Sequence, residues 1–135
     1  MSTIRTMVAV TIAAMLGLGA ACTHTVPLQT SPAVAAAEGK LKVKKGDNGN
    51  TMVKLNLEHL AEPEDVAPGT STYVVWIEGP GTVQNVGALK VGDEKEASLE
   101  TVTPLEDFNI FITAESSATA AAPTGQRYIF ARVDQ

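Results

Sequence analysis

From Gly39 onward the apolar residues come in short alternating runs cut by turn residues, and no stretch shows helical spacing. Leu41 and Val43 alternate with Lys40, Lys42 and Lys44, the pattern of a half-buried strand. Gly46-Asp47-Asn48-Gly49-Asn50 is a turn, and Val53, Leu55 and Leu57 then alternate with Lys54, Asn56 and Glu58 to give a second strand hairpinned to the first. Tyr73-Val74-Val75-Trp76-Ile77 lacks polar alternation and predicts a central strand covered on both faces. Further strands are expected over Val83–Val91, with a bulge near Gly87, then over Ala97–Val102, Phe108–Ala114 and Arg127–Val133. Residues 116–125 read as a flexible loop. About seven strands at this spacing predict an immunoglobulin-like antiparallel β-sandwich over residues 39–135. Its core draws on Leu55, Leu57, Val75, Trp76, Leu89, Leu99, Phe108, Ile110, Ile112, Ile129 and Phe130.

The N-terminal part is built differently. Arg5 precedes an apolar stretch from Met7 to Leu18, then Gly19-Ala20-Ala21, then Cys22, the only cysteine. A positive charge, a short apolar core and small residues make the layout of a signal peptide over residues 1–21. A transmembrane helix needs about 20 apolar residues and basic flanks, and the run falls short of both. With cysteine at the cleavage point, the segment resembles a bacterial lipoprotein signal, in which that thiol is acylated. Gly19 stands where such signals usually carry leucine, so secretion to the periplasm or exterior after cleavage behind Ala21 is the competing expectation. Residues 22–38 read as the lipidated cysteine followed by a flexible linker, because Pro27 and Pro32 block regular structure. Thr23 follows the cysteine where inner-membrane lipoproteins commonly carry a retention aspartate, which favours the outer membrane in a two-membrane cell.

Removing residues 1–21 from the 135 leaves 114, enough for one domain. Arg5 leaves with them, so nine Lys and Arg face fifteen Asp and Glu. Such an acidic surface disfavours nucleic acid as a partner. With Cys22 acylated no thiol remains, which excludes disulfides and thiolate metal sites.

Four segments carry a family likeness. Tyr73-Val-Val-Trp76-Ile, Asn85-Val-Gly-Ala-Leu89, Ala97-Ser-Leu-Glu-Thr101 and Phe108-Asn-Ile-Phe-Ile-Thr113-Ala-Glu115, with Pro123-Thr124-Gly125 behind them, resemble the extracytoplasmic domain of RskA-like anti-sigma factors. The likeness spans roughly residues 50–134 and rests on strand and turn residues, so it implies a fold more than an activity. Those anti-sigma factors place a sigma-binding domain and a spanning helix before this module. Here a lipoprotein-like signal stands in their place, so the resemblance implies a shared envelope-side sandwich.

Candidate chemistry is sparse. His59 with Glu58, Glu62, Glu64 and Asp65 is the one group suggestive of a divalent-metal or solute site, in the acidic loop 58–65, although a solvated charge run explains it as well. Asp47-Asn48-Gly49-Asn50 lacks the downstream glutamate of a calcium loop. No Gly-x-Ser-x-Gly elbow occurs, and no serine has a recognisable histidine base. The expectation is therefore a non-enzymatic envelope lipoprotein without a cofactor. It is held to the membrane by lipid on Cys22, and its sandwich binds an envelope protein or cell-wall component.

Overall fold

The computed structural model describes residues 22–135; the signal peptide expected over residues 1–21 lies outside the described residues. Among the described residues, nine strands form two antiparallel sheets. The strands are β1 (Thr23–Val26), β2 (Gln29–Thr30), β3 (Glu38–Lys45), β4 (Thr51–Glu58), β5 (Thr72–Gly79), β6 (Thr82–Leu89), β7 (Ala97–Thr103), β8 (Phe108–Glu115) and β9 (Ile129–Val133). Sheet I has the order β1-β3-β4-β7, and sheet II the order β2-β9-β8-β5-β6. The all-β sandwich expected from the alternation is what the chain adopts.

Period-two patterning decides which side chains meet between the sheets. Leu41 and Val43 of β3 and Val53, Leu55 and Leu57 of β4 point inward and are buried, while the intervening lysines stay exposed. Tyr73, Val75 and Ile77 of β5 join Phe108, Ile110 and Ile112 of β8 in the same core. Strand β5 is central in sheet II, and its other face is covered too. Val74 and Trp76 pack with Phe111 of β8 in a second cluster on the outer face. Trp76 is therefore fully buried, as a packing residue should be, but outside the space between the sheets. Phe130, expected in the core, lies on the outer side of β9 and is 37% exposed.

The hairpin joining β3 to β4 closes over Gly46–Asn50, where the Gly46 amide donates to the Asn50 carbonyl at 2.7 Å. The expected bulge falls in β6. Val75 pairs with Gly87 and Trp76 with Asn85, leaving Val86 as the extra residue. Gly87 has φ +145°, and a Cβ there would come within 2.9 Å of Leu99 Cδ1. The backbone there favours glycine, and a larger residue would also displace the Leu99 side chain.

Two segments depart from the sequence reading. Residues 22–38 are no linker. Strand β1 pairs with β3 from Thr23 opposite Lys44 to Val26 opposite Leu41, and β2 adds to the edge of β9. Pro27 lies where the chain passes from sheet I to sheet II, a corner that needs no amide donor. A short 3-10 turn at Pro32–Val34 then buries Val34 and Ala37. The sandwich thus begins at Thr23 rather than Gly39, and two short N-terminal strands extend the expected seven to nine. Residues 116–125 are also no free loop, since they fold back over sheet II. The Asn85 side-chain amide donates to the carbonyls of Ala118 at 2.9 Å and Ala120 at 3.1 Å, and Ala120 packs on the Trp76 cluster.

Candidate functional site

Cys22 is exposed and immediately precedes β1. Because Thr23 already pairs with Lys44, the cysteine is fixed beside the β3–β4 hairpin end of sheet I. It is open to solvent, and a group placed on it would be joined to the sandwich with no spacer.

The acidic group expected around His59 is divided. His59 follows β4 with φ 56°, an uncommon conformation for a residue bearing a side chain. One of its ring nitrogens lies within 4.8 Å of a carboxylate oxygen from Glu58 and one from Glu38, the first residue of β3. Glu38 and Glu58 face each other across the ladder. The other expected members are elsewhere. Glu64 and Asp65 sit in the first turn of α1 (Pro63–Val66), and Glu62 is paired with Lys95 at 2.9 Å. Glu38 was not legible as a partner, because twenty residues separate it from Glu58 and only the hairpin register brings the two together. All three residues are exposed, so a cation there would bind oxygen and nitrogen donors in open solvent.

Trp76, Thr113, Glu115 and Thr124 converge on the outer face of sheet II. The Trp76 indole Nε1 donates to Thr113 Oγ1 at 2.8 Å, and that hydroxyl donates to Glu115 Oε2 at 2.6 Å. Thr124 donates to the same carboxylate from its hydroxyl at 2.5 Å and from its amide at 3.2 Å. Glu115 is only 2% exposed. Burial alone would raise its pKa, but the hydrogen bonds from Thr113 and Thr124 outweigh that effect and hold it below the usual carboxylate value. A buried charge satisfied by three donors, the Thr113 hydroxyl and the Thr124 hydroxyl and amide, latches the loop to the sheet. Beside it the Arg127 guanidinium lies 3.8 Å from the Phe111 ring centroid and pairs with Glu78 at 2.9 Å. The Arg127 and Asn109 hydrogen bonds keep the Glu78 carboxyl below its usual value. This constellation has every partner it needs, and its role is cohesion. Tyr73 is likewise structural, donating its hydroxyl to the Ala61 carbonyl at 2.7 Å.

Compared with protein-family models and with curated proteins, the sequence matches none of them. Among the described residues no helix is long and apolar enough to cross a membrane.

Proposed function

We propose that the chain is a non-enzymatic envelope lipoprotein, acylated on Cys22, whose sandwich serves as an interaction module at the membrane surface. One observation carries the reading: the solitary cysteine follows a signal-like segment and stands, exposed, one residue before the first strand. The likeness to the RskA-like extracytoplasmic domain agrees with an envelope-side setting, and Thr23 favours the outer membrane of a two-membrane cell. One acyl chain gives only marginal attachment, so stable anchoring calls for two or more on the new N-terminus. Cys22→Ser should shift the protein from the membrane fraction into the soluble extract. Unchanged fractionation of that variant would count against the anchor.

A second reading is favoured by the geometry of Glu38, Glu58 and His59, which could hold a divalent cation. A ligand that binds only the folded state raises its stability, so Ca²⁺ or Zn²⁺ in excess should raise the melting temperature by several degrees. A cation-independent melting curve, or a shift that survives Glu58→Gln and His59→Ala, would dismiss this site.

A further inference from the structure

The outer face of sheet I is sorted by charge along its strands. The cross-strand register arranges it in rows. Beside the anchor, Thr23, Lys44, Met52 and Val102 lie abreast; next come Thr25, Lys42, Lys54 and Glu100. A third row holds Lys40, Asn56 and Ser98, and the last holds Glu38 and Glu58. Rows lie two residues apart, so the four span roughly 20 Å.

Three physical features stand out. The first is that Lys42 and Lys54 are directly opposed, an arrangement that costs stability unless an anion lies between or over them. Lys54 reaches Glu100 at 3.4 Å, but Lys40, Lys42 and Lys44 take part in no ion pair among the described residues. The second is apolar surface in the row next to the anchor, where Met52 is 49% and Val102 is 54% exposed. They flank a shallow groove of about 440 Å³ that Lys42, Lys44 and Lys54 also line. The third is polarity. In an acidic protein this basic patch sits at the Cys22 end, whose turns carry Asp47, Asp107 and the Lys45-paired Glu106, while Glu38, Glu58 and the six acids of the β4–β5 and β6–β7 connections gather at the opposite end.

We propose that this face docks on an anionic phospholipid bilayer. Lys42, Lys44 and Lys54 take lipid phosphates, and Met52 and Val102 reach into the headgroup layer. The inference deepens the anchored reading and rests on it, because a lipid on Cys22 brings the Thr23–Lys44 row to the bilayer before any lysine acts. Lysine stems are suited to the task, since they cover apolar surface while their ammonium heads remain wet. Each lysine near an anionic surface strengthens association roughly fivefold, an effect that salt screens. The acidic far end is repelled by the same surface, which sets a single orientation.

All strands among the described residues lie within residues 23–133, so a chain starting at Cys22 contains the whole described sandwich. The unique thiol allows that chain to be coupled to a maleimide-bearing lipid, whether or not the cell acylates it. Acetylation of the lysines, followed by mass spectrometry, then reports which are covered. On vesicles with about one-third phosphatidylglycerol, against pure phosphatidylcholine, Lys42, Lys44 and Lys54 should react several-fold more slowly. Lys90 and Lys95 should react equally on both, and high salt should abolish the difference. Equal rates for the sheet I lysines on the two vesicles would overturn the proposal, as would slowing that extends to Lys90 and Lys95. Protection in native envelopes without protection on anionic vesicles would assign the face to an acidic polymer or protein and overturn the lipid assignment. Loss of natural acylation is read separately from the Cys22→Ser fractionation, so the two failures cannot be confused.

Discussion

Trp76 is buried against Val74 and Phe111, and its indole donor is satisfied by a hydrogen-bonded chain that runs through Thr113 and Glu115 to Thr124. Trp76→Ala should cost about 3–5 kcal/mol in denaturant unfolding. Thr113→Val, which leaves both the indole donor and the Glu115 carboxylate short of a partner, should cost about 1–3 kcal/mol. A red-shifted emission maximum from native Trp76, typical of a wet indole, would contradict the packing. Glu115 also sets the acid limit. Its folded-state pKa is depressed, so its contribution is fully present above the ordinary carboxylate value and is lost as pH falls through the lower folded value. Glu115→Gln should therefore lower stability at neutral pH and make the acid unfolding limb shallower; an unchanged limb would show that the latch does not govern it. At the alkaline end the sign reverses. The Tyr73 hydroxyl is pushed up to about 12, by burial first and then by Tyr128, Glu62 and Asp65. Its contribution is complete below the ordinary tyrosine value near 10 and fades as pH rises toward the folded one. Tyr73→Phe should remove that alkaline loss.

Two elements serve as structure where their composition suggested mobility. Deleting residues 117–122 should uncover Trp76 and Phe111, at a cost of about 2–4 kcal/mol and with faster acrylamide quenching of the indole. A deletion variant with native stability would restore the view of this segment as a free loop. The sequence made β3, β4, β5, β7 and β8 legible, because each buries alternate or successive apolar side chains over seven or eight residues. The loop was illegible for a physical reason: it is held through the carbonyls of Ala118 and Ala120, which any residue supplies. Strands β1 and β2 were illegible because four and two residues are too few for a period, and their ladder partners are distant in the chain. At the site, Cys22 and His59 were readable as residue types. The Glu38 contact and the lysine rows required the register. Yet the alternation that placed Leu41 and Val43 inside also put Lys40, Lys42 and Lys44 together outside.

As a whole, the protein is a sandwich whose first strand begins directly after Cys22, so the proposed acylation would make that strand the attachment point. A flexible spacer would let the domain sample every orientation. With Cys22 acylated as proposed, a strand bonded to β3 from Thr23 onward would instead hold sheet I beside the bilayer, with its acidic end directed away. Amide hydrogen exchange should accordingly show Thr23–Val26 protected to a degree comparable with β3. Everything at this scale depends on the modification of one sulfur. The most direct measurement is the mass of the N-terminal peptide of the mature protein purified from the membranes of its own cells. The account predicts a chain that begins at Cys22 and carries acyl groups on it. An unmodified Cys22, or a chain that still begins upstream of it, would contradict the account.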